Sequence, residues 1–165
     1  MVETLTVRRI VESDLDNFRK LRLEALRLHP EAFGASYEEC SQKPLQFFAE
    51  QLRTSYVFGG FDVHNTLQGM IGVSRSPLPK LSHAANIWGM YVRAEKRGSG
   101  LATRLMETAL DAVSSAKIVK LSVVTTNRAA YALYCSFGFI EWATDTAALC
   151  VDGEFHDEFL MRRDL

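Results

Sequence analysis

The stretch Ile87-Trp88-Gly89-Met90-Tyr91-Val92, followed four residues later by Arg97-Gly98-Ser99-Gly100-Leu101-Ala102, decides how this chain of 165 residues is read. The first part is an apolar run with the look of a strand. The second is a glycine-rich turn that opens an amphipathic segment, Leu101 to Val113. A strand that feeds such a turn and then a helix is suited to holding phosphate. The first helical turn has backbone N–H groups without intrahelical acceptors, and its dipole end is positive. Glycines let the backbone close on an anion with no Cβ in the way. Two common phosphate motifs fail here. A P-loop needs Gly-Lys-Ser/Thr at its end, and Leu101-Ala102-Thr103 follows Gly100 instead. A dinucleotide fingerprint needs a third glycine where Thr103 stands, and an acidic residue roughly 20 residues on. The next strand candidate, Ile118 to Thr125, ends in Thr125-Thr126-Asn127 and offers none. The turn is a pyrophosphate cradle without the partners of a nucleotide fold.

Composition narrows the surroundings. Hydrophobic residues make up 47% and charged residues 24% of the chain, the balance of a globular protein. The expectation is one domain over residues 1–165. A net charge of −1 argues against nucleic acid as a partner, which would require a basic stripe. Apolar runs are too short to span a bilayer. The start, Met1-Val2-Glu3-Thr4, shows no secretory pattern. Cys40, Cys135 and Cys150 lack metal-ligand spacing and an even count. They are expected as reduced, partly buried thiols of a cytoplasmic protein, with Cys135 a small buried hydrophobe and no metal.

Outward from the cradle, periodicity places the other elements. Thr4 to Ile10 alternates as a strand. A helix starts at Ser13-Asp14 with Leu15, Phe18, Leu21, Ala25 and Leu28 on one face, and stops at His29-Pro30. Pro30 to Lys43 reads as a loop, and Pro44 to Arg53 as a second helix. Tyr56 to Asp62 and Thr66 to Ser74 read as strands joined by a turn at His64-Asn65. After a loop at Ser76 to Ser82 come the strand Ala84 to Arg93 and the helix Gly98 to Ser115. Ile118 to Thr125 is a β-branched strand, and Asn127 caps a helix carrying Ala130, Leu133, Tyr134 and Phe137. Phe139 to Val151, bent or interrupted, and Glu154 to Arg162 meet at the hairpin signal Asp152-Gly153. The order β-α-α-β-β-β-α-β-α-β-β predicts an α+β fold. Its sheet is mixed and mostly antiparallel, flanked by helices, with a parallel pair across the cradle helix.

With these elements placed, the chain resembles the GNAT superfamily of acyl-coenzyme A-dependent N-acyltransferases over essentially its full length. Two motifs carry the resemblance. One is Arg97-x-x-Gly100-x-Ala102 after a strand ending Met90-Tyr91-Val92. The other is Asn127, Ala130, Leu133, Tyr134, Gly138 and Phe139 at family spacing. The resemblance implies acetyl-coenzyme A as co-substrate. Its pyrophosphate would rest on Arg97, Gly98, Ser99, Gly100, Leu101 and Ala102, with the Thr103 hydroxyl and the charge of Arg97 or Lys96 in support. Pantetheine would lie between two splayed strands, touching Met90 and Val92 through their backbone and Asn127 from the other side. The reaction implied is direct attack of a primary amine, of a small molecule, peptide or protein, in a ternary complex. The N–H near Met90 would serve the oxyanion and Tyr134 would be the general acid. Homodimers are frequent in that family.

Taken alone, several of these residues have plainer readings. Asn127 is an N-cap, a role compatible with ligand contact, and Tyr134 is a core tyrosine with a satisfied hydroxyl. Many family members carry a glutamate on the strand before the cradle, but Asn86 to Val92 holds no carboxylate. His83, Glu38 and Glu39, or a water chain, are the substitutes that the sequence offers as bases. Phe33, Tyr37, Trp88 and Trp142 are aromatic candidates for the acceptor wall, and Glu31, Glu38 and Glu39 could attract a cationic amine. A non-catalytic acyl-coenzyme A sensor is the competing function.

Overall fold

The computed structural model describes residues 4–165. Met1, Val2 and Glu3, on which the reading of the N-terminus partly rests, lie outside the described residues. Strands β1 (Thr6–Arg9), β2 (Tyr56–Phe61), β3 (Leu67–Arg75), β4 (Ala84–Val92), β5 (Ile118–Val124), β6 (Ile140–Val151) and β7 (Glu154–Asp164) form one sheet. Its order is β1-β2-β3-β4-β5-β7-β6. Only β4 and β5 run parallel, joined through helix α4 (Leu101–Ala112), because a parallel pair needs a crossover. The hairpin of β6 and β7 turns at Asp152 and Gly153, both at positive φ, 50° and 82°, as a tight twisted hairpin requires. Register shifts between Glu141 and Ala143, and between Asp145 and Leu149, bend β6 where an interruption was expected.

Alternation along the strands feeds two cores. On one face α4 sets Leu101, Leu105, Met106 and Ala109 against Phe58, Ile71, Val73, Ile87 and Val119. Helix α5 (Arg128–Ser136) joins that face through Tyr134 and Leu133. On the other face, α1 (Leu15–Leu28) and α3 (Leu45–Thr54) pack Phe18, Leu21, Ala25, Phe48 and Leu52 against Val57, Phe61, Leu67 and Met70.

The structure corrects the sequence reading at four places. The buried stripe of α1 runs Phe18, Leu21, Arg22, Ala25 and Leu26, while Leu28 is exposed. The expected loop 30–43 contains helix α2 (Tyr37–Ser41), whose first turn is capped by the Ser36 hydroxyl accepting from the Glu39 N–H. The cradle helix begins at Leu101 rather than Gly98, because Gly98 and Gly100 both sit at positive φ, which ends regular helix. Cys135 is exposed, not a buried hydrophobe; Cys40 is buried and Cys150 exposed.

Candidate active site

The site grows from a fault in the sheet. β4 pairs with β5 only from Ala84 to Asn86, opposite Ile118 to Lys120. Beyond Asn86 the facing edges of the two strands part. On its other edge β4 carries a bulge, where the register with β3 shifts between Met70 and Gly72. Gly89 occupies it at φ 65°, a conformation that glycine adopts without a Cβ penalty. The extra residue changes the alternation, so Trp88 and Tyr91 share the α1 face while Ile87, Met90 and Val92 share the α4 face.

The parted strands open into a cavity of about 580 Å³, within the range of small-ligand sites. One wall is Met90, Tyr91 and Val92, the floor is Arg97, Gly98, Gly100, Leu101, Ala102 and Thr103, and the far wall is Val124, Thr126 and Asn127. The chain from His29 to Phe33 closes it on the α1 side through His29, Glu31, Ala32 and Phe33. A smaller recess of about 70 Å³ adjoins it between β4 and β5, lined by Trp88, Gly89, Ser122 and Tyr134 and sharing Phe33, Met90 and Asn127 with the larger space.

The cradle has the form of an anion seat. The backbone N–H groups of Gly98, Gly100, Ala102 and Thr103 have no acceptor among the described residues. A Cβ built on Gly98 or Gly100 would meet nothing within 4 Å, so the space in front of the turn is open. The Arg97 guanidinium folds over this rim. Its Nε donates to the Val92 carbonyl at 3.2 Å, and its Nη2 lies 3.3 Å from His29 Nε2. A guanidinium only donates, so in this contact Nε2 can stand only as the acceptor. Nine of the ten residues expected to hold a cofactor line the larger cavity. The exception is Ser99, which is absent from the lining; its hydroxyl instead donates to the Lys96 carbonyl at 2.6 Å and braces the turn.

Asn127 performs the capping expected of it: its Oδ1 accepts from the Ala130 N–H at 3.2 Å. Its amide nitrogen bonds to no described residue and faces no competing partner. Tyr134, two helical turns on, is buried with its ring edge-on to Phe139, and its hydroxyl makes no hydrogen bond with the described residues. Burial pushes that phenol up to about 12, because removing water penalises the phenolate. Across the cavity, the Tyr91 hydroxyl donates to Glu24 Oε1 at 2.9 Å, and Arg93 pairs with the same carboxylate. Burial and then this bond push Tyr91 up to about 12 as well.

Other expected residues fall outside. His83 is exposed at the opposite end of β4. Glu38 and Glu39 are exposed on α2, where Glu39 pairs with Lys43. Tyr37 and Trp142 line neither space, whereas Phe33 and Trp88 do. The sequence reading missed His29 and, as a base candidate, singled out other acids than Glu31, the one carboxylate among the described residues on either lining. Arg22 was missed altogether. Its signal is its place on the stripe 18-21-22-25-26, where an apolar residue belongs. Among the described residues no group of three or more His, Cys, Asp or Glu could hold a metal ion, and no helix is long and apolar enough to cross a membrane.

Comparison with known proteins gives a consistent picture. The family model of the acetyltransferase (GNAT) family matches residues 21–139. A GNAT-family acetyltransferase from Streptococcus pneumoniae superposes with a TM-score of 0.81 at 19% identity, covering 98% of this chain and 100% of that one. An N-acetyltransferase from Staphylococcus aureus gives 0.80 at 17% identity, covering 98% of each chain. A ribosomal-protein-alanine N-acetyltransferase from Brucella melitensis gives 0.79 at 18%, covering 97% and 99%. No curated protein matches the sequence. At these identities the solved structures speak to the fold.

Proposed function

This chain belongs to the acetyltransferase (GNAT) family, and on that premise we propose that it transfers the acetyl group of acetyl-coenzyme A to the primary amine of a small molecule, peptide or protein by direct attack. Membership makes it an acyltransferase acting on an amine. The observation that carries the finer reading is the cradle at Gly98 and Gly100. Its unpartnered N–H groups open onto a gap between β4 and β5 that ends at Tyr134. Unpartnered donors at a helix start, with room where a side chain would stand, fit a pyrophosphate. The unpaired edges of β4 and β5 fit an extended amide chain such as pantetheine.

When bound, acetyl-coenzyme A supplies an activated acyl carbon with a thiolate leaving group. The backbone N–H of Met90 donates to the carbonyl oxygen as negative charge grows there. Asn127 holds the donor from α5 with its free amide nitrogen. Tyr134 gives its proton to the departing sulfur, in a setting where burial keeps the phenol protonated. The amine nitrogen forms the new C–N bond as the C–S bond breaks, and its proton leaves toward Glu31. The exposed free thiols of Cys135 and Cys150 suit a reducing compartment, and we expect the protein in the cytoplasm.

Thiol release from acetyl-coenzyme A across a panel of amines tests the proposal. Release with at least one amine class is the expected result. Coenzyme A binding with no release on any amine would favour the sensor, a reading supported by the lack of a carboxylate among the described residues lining the smaller recess.

A further inference from the structure

Arg22 is an anomaly in the α1 face of the core. It is 7% exposed, yet none of its N–H donors has an acceptor among the described residues, and Nε and Nη1 are wholly shielded from solvent. Other arginines nearby are engaged: Arg93 by Glu24, Arg8 by Asp14, Arg97 by the Val92 carbonyl. Glu24, two residues along the same helix, is committed to Tyr91 and Arg93 and leaves Arg22 unneutralised. Burial pulls the Arg22 guanidinium below its ordinary range, the direction expected of a cation without a counter-ion. A guanidinium does not solve this by losing its proton. A buried, unpaired cation is strongly unfavourable, so its retention calls for a ligand.

The surroundings say which ligand. The guanidinium carbon lies 5.2 Å from the Phe33 ring centroid and 5.6 Å from that of Trp88. A Cβ placed on Gly89 would be 3.5 Å from Nη1. Phe33, Trp88 and Gly89 all line the recess that ends at Tyr134. The cation therefore sits behind the reaction end of the site, remote in sequence from the cradle that would hold the donor's phosphates. The aromatic faces supply part of its stabilisation but satisfy no N–H group.

We propose that Arg22 receives a carboxylate of the acceptor, so that the amine acetylated by this protein is borne on an amino-acid-like molecule. The planar fork of a guanidinium matches a carboxylate with two parallel hydrogen bonds. Nη2, the guanidinium nitrogen that is not wholly shielded, is the end a carboxylate would reach first, and Gly89, having no side chain, puts no Cβ beside Nη1. Because Gly89 adjoins Met90, the carboxylate is held close to the N–H assigned to the acetyl oxygen, which favours acids whose amine is separated by few bonds. The inference rests on the acetyl-transfer reading and names its substrate class.

The test uses matched acceptors, α- and β-amino acids and their primary amides, with the full-length protein, acetyl-coenzyme A and thiol release as the readout. The amide's amine is the less basic of each pair, so greater availability of the free base cannot explain a preference for the acid. The acid is expected to exceed the amide in kcat/KM on the order of 100-fold. In Arg22→Gln the ratio should collapse toward one through a raised KM for the acid, and Arg22→Lys should keep part of it. In calorimetry, coenzyme A affinity should stay where it was in both variants. With no acceptor present, Arg22→Met should melt at a higher temperature than the parent, whereas an arginine retained for packing would give a lower one. Equal rates for acids and amides in the parent, a ratio that survives Arg22→Gln, or acetylation of no acid would each overturn the assignment while coenzyme A binding left the donor site standing. Failure of the parent to bind coenzyme A would instead overturn the reading beneath it.

Discussion

At Tyr134, shielding from water sets how firmly the phenol holds its proton. The phenol is held at about 12 by burial alone, so it is protonated at every pH at which the protein would work. In the proposed reaction the base that takes that proton is the departing thiolate, generated beside it. Tyr134→Phe is expected to lower kcat by roughly 10²-fold or more while acetyl-coenzyme A affinity is retained, measured by steady-state rates beside calorimetry. At the other end, Gly100 holds φ 82° with open space before it. Gly100→Val adds strain of about 1–2 kcal/mol and fills the seat, so coenzyme A affinity should drop at least tenfold; unchanged affinity would remove the cradle from the donor site. Glu31→Gln should depress kcat in steady-state rates while acetyl-coenzyme A affinity is retained. That the cradle residues, Asn127 and Tyr134 border one site was legible in the sequence, from consecutive positions in the cradle and, for Asn127 and Tyr134, from the resemblance together with their spacing of seven along one helix. Arg22, His29 and Glu31 were not legible as a group. His29 and Glu31 line the cavity, and Arg22 stands behind its recess against Phe33 and Trp88, only because α1 and the turn after it cross the sheet beside β4, some 60 to 70 positions away in the chain.

Elements place those residues through two devices, the bulge at Gly89 and the close seating of α4 on the sheet. A Cβ on Gly60 would collide with Leu101 Cδ1 and lie 2.9 Å from Cδ2. Leu101, the first residue of α4, is 1% exposed and has little room to yield. Gly60→Val should therefore destabilise the fold by about 1–3 kcal/mol. It should also weaken coenzyme A binding, because the helix start that it lifts carries the unpartnered N–H groups; denaturation and calorimetry on one sample separate the two effects. Strand and helix identity was legible wherever a period repeated: the amphipathic α4, the alternating β1, the β-branched β5. Helix α2 was not, since its five residues are too few to show a period and its Ser36 cap resembles loop chemistry. The opening between β4 and β5 is a further feature that the strand pattern does not encode. It follows from where pairing stops, at Asn86 and Lys120, and from one extra residue in β4.

Across the whole molecule, the same buried groups set the pH range in which the fold persists. Asp14 is held below its usual 3.8, first by hydrogen bonds from Arg8 at 2.7 and 2.9 Å, and further by the Val11 N–H. This ties β1 to the start of α1. A carboxylate lowered in the folded state contributes stability that is present above its unfolded value and is lost as pH falls through its folded value. The tyrosines act on the other side with the opposite sign. Tyr134 and Tyr91 ionise near 10 when unfolded and near 12 when folded. Between those values the unfolded chain binds fewer protons, so stability falls as pH rises. For fully buried Tyr134 the loss amounts to about 3 kcal/mol across that window. Urea denaturation over a pH series should thus give a plateau through the neutral range, with an acid shoulder below about pH 4 and an alkaline decline from about pH 10. Tyr134→Phe should flatten the alkaline decline and leave the acid shoulder in place. Asp14→Asn should lower the plateau and remove much of the acid shoulder. If the alkaline decline were identical in the parent and Tyr134→Phe, the phenol would be ionising in contact with water, and a proton donor sheltered for the leaving sulfur would be ruled out together with it.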